Sequence, residues 1–213
     1  MTSAALAALI SPATSFADAA ATPLAAGTAC LVLARLGLPA GSRLLVLGAS
    51  GGVGLFLLQL AAAAGITAIG VGRQVMHAQM SGCGAAACID YTGEDVASRA
   101  VALAGGPVDA IADLVGGRLA QSACAALRPG GQIAAIATPE LDLDPLLDAN
   151  ITFHGVLLQD DGDRIRTLAA LLDQHALRPV VSHVLPLAAA AEAHRILEGG
   201  HAGGKIVLDV AGS

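Results

Sequence analysis

Six consecutive residues, Ala49-Ser50-Gly51-Gly52-Val53-Gly54, have the spacing at which backbone N–H groups rather than side chains do the chemistry. Gly51 lets the backbone approach a bulky anion, and Gly54 lets a helix and a strand pack closely. A helix opening at this point aims free N–H groups at the anion's charge. The cluster follows an apolar run over residues 44–47 and precedes an Ala- and Leu-rich stretch over 53–64 that Gly65 is placed to end. This strand-turn-helix context is the one in which G-x-G-x-x-G holds the pyrophosphate of a dinucleotide, with Ala49 here in the first glycine position.

The second strand, 66–71, should end in Val71-Gly72-Arg73, where a site selective for NAD usually places an Asp or Glu. No acid stands in that window. Arg73 is placed instead to meet a 2′-phosphate through a charge-assisted hydrogen bond, and Gly72 leaves it room, so the expected cofactor is NADP(H). Gly48-Ala49-Ser50-Gly51-Gly52 also reads as G-x-S-x-G, but a nucleophile there would need an acid and a histidine in order, which Asp113 and His154 could supply only if forced, and Ser50 would sit one turn off the required spacing relative to the helix start. The six histidines, His77, His154, His175, His183, His194 and His201, are dispersed without metal spacing. Cys30, Cys83, Cys88 and Cys124 form no C-x-x-C pair and read as reduced thiols; no metal site is expected.

These residues need a scaffold, and the rest of the chain alternates in a way that supplies one. Strands are expected at about 44–47, 66–71, 85–89, 108–115, 132–137 and 151–158. Helices are expected over 53–64, 94–103, 118–127 and 163–175, the third of them stopped by Pro129-Gly130-Gly131. The fold class is α/β: a doubly wound, six-stranded parallel sheet of Rossmann type with helices on both faces. Its ligand crevice lies at the carboxyl ends of the first and fourth strands, so Val115, Gly116, Ala137 and Thr138 should face the same crevice as Gly51–Val53. Two N-terminal helices precede it, one capped by Ser15 with Asp18 in its first turn, the other opened by Pro23 and running through Leu36 with Thr28 on it. Beyond Pro179 the rhythm changes: strands over 180–185 and 205–210 flank a helix over 188–197, and they find no seat in the six-stranded sheet. We therefore expect a dinucleotide-binding domain over 1–179 and a separate two-strand segment over 180–213.

Composition agrees with such a core. Of 213 residues, 55% are hydrophobic but only 2% aromatic, which favours close helix-on-sheet packing through Ala, Leu, Val and Ile. The formal charge of −6, without a Lys/Arg cluster, argues against nucleic acid or an anionic membrane as partner. The N-terminal MTSAALAALISPA has no basic residue before Arg35 and so lacks the pattern of a signal peptide, and no run is long enough to span a membrane; a cytoplasmic protein is expected.

Taken together, the chain resembles the cofactor-binding half of the zinc-independent medium-chain dehydrogenases/reductases, closest to the quinone oxidoreductase and enoyl reductase branch. The stretches that carry the likeness are FADAAA leading to Gly27-Thr28-Ala29, Gly48 to Gly54, Cys88-Ile89-Asp90-Tyr91, DAIADLVGG, LRPGGQIAAI, and Leu185-Pro186 through His194 to GKIVL. The resemblance implies hydride transfer between NADPH and a quinone or an α,β-unsaturated carbonyl. It implies that Ser50, Gly51, Gly52, Val53 and Gly54 form the pyrophosphate turn, that Arg73 and Tyr91 lie near the adenosine phosphate, and that Thr28, Val115, Ala137 and Thr138 lie at the nicotinamide end. No catalytic acid carries over; Tyr91, on the adenosine side, is a poor proton donor. Family members carry a β-rich substrate domain ahead of this half, which the chain lacks, and the strands at Val180 and Lys205 resemble those that return to it. A truncated module, a short protein that dimerises over its site, and one half of a split enzyme all fit. Subunits of the family join through the edge strand matching 151–158, so a homodimer is expected. The rival to an oxidoreductase is a non-catalytic dinucleotide-binding or sensing module.

Overall fold

The computed structural model describes residues 4–200 and 202–210. His201 and the first three residues of the apolar N-terminal stretch lie outside the described residues. In chain order the first elements are α1 (Phe16–Ala21), α2 (Pro23–Leu36), β1 (Arg43–Leu47), α3 (Gly52–Ala63), β2 (Thr67–Val71), α4 (His77–Gly82), β3 (Ala87–Ile89), α5 (Val96–Ala104) and β4 (Val108–Asp113). They are followed by α6 (Leu119–Ala123), β5 (Leu127–Ala135), α7 (Asp144–Asp148), β6 (Thr152–Gly155), α8 (Gly162–Asp173), β7 (Val181–Pro186), α9 (Ala190–Glu198) and β8 (Lys205–Asp209). Two compact units result: residues 28–157, and residues up to 27 together with those from 158 onward.

The larger unit is a six-stranded parallel sheet in the order β3-β2-β1-β4-β5-β6. Strand alternation explains its two-sided burial. Leu45, Leu47, Ile69, Val71, Ile111 and Ile133 join Val96 and Ala100 of α5, Ala120 and Ala123 of α6 and Leu146 of α7 in one apolar cluster. Leu44, Val46, Ala68, Ala110, Ala112 and Ala134, one residue out of phase, point the other way and are just as buried. Because both faces must be apolar, the strands appear in the sequence as continuous hydrophobic runs. The order reverses at β1, with β2 on one side and β4 on the other, so the doubly wound switch point falls where the glycine cluster begins.

Three expectations need correction. The helix expected over 118–127 ends early: α6 stops at Ala123, a 3-10 turn carries the chain to Ala126, and β5 starts at Leu127. Pro129-Gly130-Gly131 does not terminate anything. Val108 pairs with Leu127 and Ala110 with Gln132, so the extra residues of β5 form a bulge, held by the Arg128–Asp109 ion pair at 2.7 Å and by Gly130 N–H on Ala149 O at 2.8 Å. The strand expected over 108–115 ends at Asp113, because after Leu114 N–H bonds Leu47 O the next two N–H groups turn to the Asp113 carboxylate. The strand expected over 151–158 is only Thr152–Gly155, and the polar stretch before it forms α7.

In the smaller unit β7 and β8 pair with each other in parallel, from Val181 opposite Lys205 to Pro186 opposite Asp209. The two strands that lacked a seat in the large sheet thus make a sheet of their own. Asp161 caps α8 by accepting from Arg164 N–H at 3.1 Å, and Asp173 at its other end accepts from Ser11 N–H and the Thr14 hydroxyl.

Candidate dinucleotide site

The turn after β1 is built by backbone contacts that leave no room for side chains. Gly48 has φ +75°, Ala49 N–H reaches across to Val71 O at 3.1 Å, and Gly51 N–H closes the turn on Gly48 O at 3.1 Å. A Cβ on Gly54 would fall 2.5 Å from Gly48 O and 2.6 Å from Ala49 Cα, so this buried residue seats α3 against the strand and offers nothing to a ligand. Gly51 is exposed, and its Cβ position meets only Gly48 O, at 3.3 Å. It stands as N-cap of α3 without a side-chain cap, and the N–H groups of the first turn, Gly52 to Gly54, are those a helix leaves without intrahelical acceptors. An anion placed over Gly51 would find them.

Ser50 Oγ lies 3.2 Å from where a Cβ on Gly72 would sit, so the hydroxyl faces the end of β2. The forced triad does not assemble: Asp113 bonds Val115 and Gly116, and His154 Nε2 bonds Gln132 Oε1 at 2.9 Å. At the end of β2, Arg73 is exposed, and its guanidinium has no ion-pair partner among the described residues. Gly72 N–H donates to Ile89 O at 3.0 Å, which ties the Arg73 turn to the end of β3, where Tyr91 is 44% exposed.

A carboxylate that sequence reading missed stands at the same edge. Asp90 accepts from Thr92 N–H at 3.0 Å, from the Thr92 hydroxyl at 2.7 Å and from Gln74 N–H; the two Thr92 bonds first, then the Gln74 bond, hold its carboxyl below the usual range against desolvation. The signal was present as an acid after β3 rather than after β2.

On the other side of the switch point, the loop after β4 joins the loop after β5. A Cβ on Gly48 would lie 2.5 Å from Val115 Cγ2, so the Val115 side chain covers the start of the glycine turn. Gly116, at φ +80°, would bring a Cβ to 2.6 Å from Thr138 O and 3.1 Å from Ala137 Cβ, and Gly117 N–H bonds Thr138 O at 3.0 Å. The fold thus gathers Ser50 to Gly54, Arg73, Val115, Ala137 and Thr138 along one carboxyl edge, with Tyr91 at its β3 end. Thr28 is placed by α2, not by these loops, and is 8% exposed. Cys124, behind the β4 loop, is pushed up to about 11 by burial and then by the charge of Asp113, and it donates to Ala120 O at 3.1 Å; it is a protonated thiol, not a nucleophile. Beyond the Gly117–Pro139 bridge lies a cavity of about 590 Å³ lined by Arg118, Gln121, Ser122, Glu140, Leu141 and Asp142, none of them read as site residues from the sequence. No group of three His, Cys, Asp or Glu side chains among the described residues is placed to hold a metal ion. No helix among them is long and apolar enough to cross a membrane.

Comparison with known proteins gives the family. The family model for zinc-binding dehydrogenases matches residues 83–208. A chloroplastic NADPH-dependent alkenal/one oxidoreductase of Arabidopsis thaliana is 30% identical over 91% of this chain and 47% of its own length. The solved quinone oxidoreductase of Coxiella burnetii superposes with a TM-score of 0.78 at 32% identity, covering 90% of this chain and 60% of that one. An NAD-dependent alcohol dehydrogenase superposes with a TM-score of 0.85 at 30% identity, over 93% and 60%. The chain spans about half the length of the curated relatives it matches. With its six-stranded sheet and its glycine turn at the switch point, the chain belongs to the zinc-binding dehydrogenase family of medium-chain dehydrogenases/reductases and corresponds to their cofactor-binding half.

Proposed function

We propose that this chain binds NADP(H) and is the cofactor-binding part of an oxidoreductase that transfers hydride from NADPH to a quinone or an α,β-unsaturated carbonyl. The observation that carries the reading is the β1–α3 turn: Gly51 exposed, the first-turn N–H groups of α3 uncapped, and both aimed at the switch point. The residues fit the group. Gly51, Gly52 and Val53 would hold the pyrophosphate, the unpaired Arg73 would meet the 2′-phosphate with Tyr91 beside the adenosine, and Val115, Ala137, Thr138 and Thr28 would bound the nicotinamide half. The nicotinamide supplies the hydride when bound. The chain's own part is to orient it and keep water away, which is the protein's usual share in cofactor chemistry.

The likeness to a quinone oxidoreductase favours chemistry without zinc, and the four free thiols favour a reducing, cytoplasmic setting. The segment from 180 onward, whose Val184 is 54% exposed on a sheet of two strands, would pack against a substrate domain. β6 is an edge strand with Phe153 48% exposed, and we assign it to a homodimer contact.

A second reading, NAD(H), is favoured by Asp90, whose carboxylate at the neighbouring strand end could hold ribose hydroxyls. Titration of the chain with NADPH and NADH, followed by nicotinamide fluorescence, decides between them. Preference for NADPH that is lost in Arg73→Ala supports the first reading, and preference for NADH unchanged by Arg73→Ala supports the second. Binding of neither overturns both. Tight binding with no turnover of a small quinone by this chain, even with a substrate domain added, would favour a sensing module.

A further inference from the structure

Asp113 ends β4 with its side chain wholly inside the protein. Its Oδ1 accepts two successive backbone N–H groups, Val115 at 3.1 Å and Gly116 at 2.9 Å, while Oδ2 is buried with no hydrogen-bond partner among the described residues. An apolar residue would satisfy the strand pattern V-D-A-I-A-D as well and would avoid the cost of a half-satisfied buried carboxyl, so its retention needs a local reason. The loop provides one. The two residues whose N–H groups Asp113 holds are those that reach across the crevice: Val115 places its side chain over Gly48, at the mouth of the glycine turn, and Gly116 lies against Thr138 O and Ala137. Without an acceptor below, both N–H groups would be free to seek others, and the loop would lose its fixed path.

We infer that Asp113 is a positioning residue for the nicotinamide half of the dinucleotide, acting through the β4 loop rather than by touching the ligand. The inference rests on the nucleotide reading above. Topology divides the ligand: adenosine lies on the β2 and β3 side, where Arg73 stands, and the other half lies on the β4 and β5 side, where the Asp113 loop stands. Removing the Asp113 carboxylate must therefore damage one half of the site and spare the other. A residue that merely stabilised the fold would affect both alike.

The test uses the full chain with NADPH and with adenosine 2′,5′-bisphosphate, which carries the adenosine half alone; should the chain prefer NADH, the pair is NADH and ADP. Asp113→Ala is expected to weaken NADPH about tenfold, since two N–H groups lose their acceptor, and to change the adenosine fragment by less than about twofold. Asp113→Asn retains an acceptor oxygen and is expected to bind NADPH within about threefold of the unaltered chain. It also serves where Asp113→Ala fails to fold. Equal losses for both ligands, no loss for either, or an Asn variant that loses NADPH affinity while holding the fragment would each overturn the assignment. If the unaltered chain binds neither ligand, the nucleotide reading falls and the assignment with it.

Discussion

Gly54 tolerates no side chain, because the atoms a Cβ would strike are the backbone of Gly48 and Ala49, which cannot rotate away. Gly54→Ala should therefore push α3 off β1 and cost about 2 kcal/mol in a urea melt, as overpacking does. Gly51→Ala, whose Cβ would meet only Gly48 O, should cost less stability and more nucleotide affinity. The contrast between the two variants, stability against binding, checks the division of labour within the turn. Cys124 makes a separate prediction. With its thiol pushed up to about 11, only about one molecule in a thousand carries the thiolate at pH 8, so iodoacetamide should label it far more slowly than it labels a cysteine in a short unstructured peptide, read by peptide mass. Rapid labelling of Cys124 would mean that the packing behind the β4 loop opens.

At the level of the elements, Asp109 joins three strands at the amino-terminal edge of the sheet. Its carboxylate, on β4, accepts from Arg43 N–H of β1 at 2.8 Å and pairs with Arg128 in the β5 bulge at 2.7 Å. Burial alone would raise the Asp109 carboxyl, but the Arg43 N–H, the Arg128 hydrogen bond and the charges of both arginines outweigh it and hold the group below its usual range. A carboxyl depressed in the folded state contributes stability that is present above the unfolded value of about 3.9 and is lost as pH falls below it. Asp109→Asn should thus cost about 1 kcal/mol at pH 7, a figure kept low because Arg128 is half-exposed and screened, and the gap to the unaltered chain should narrow below about pH 4. The same bulge marks where the sequence misleads. The doubly wound strands were legible because burial on both faces writes continuous apolar runs such as residues 44–47. The glycine turn was legible because its roles are local. Pro129-Gly130-Gly131 reads as a terminator by composition, and only partners distant in sequence, Asp109 and Ala149, show it to be an interruption inside β5. The clasp of Asp113 on its own loop and the bond from Gln74 N–H to Asp90 are likewise invisible without coordinates, since each depends on how a loop folds back, not on spacing.

For the molecule as a whole, the edges of the large sheet matter most. If β6 carries a subunit contact, the chain should sediment as a dimer, and Phe153→Asp should sediment as a monomer with its nucleotide titration unchanged; a monomeric unaltered chain would refute the contact. Saturating cofactor gives a check on folding and site together, because a ligand at a hundred times its dissociation constant adds about 2.7 kcal/mol to the unfolding free energy. The place of β1 at the switch point also has a consequence for the growing chain. β1 sits between β2, which follows it closely, and β4, which starts about sixty residues after β1 ends, so on the ribosome this strand of apolar side chains waits roughly 3 to 12 s with the N–H and C=O groups of one edge unpaired. Nascent chains halted short of Val108 should accordingly be caught by a holdase chaperone, and those released past residue 135 should not, because by then β4 and β5 have sealed the middle of the sheet.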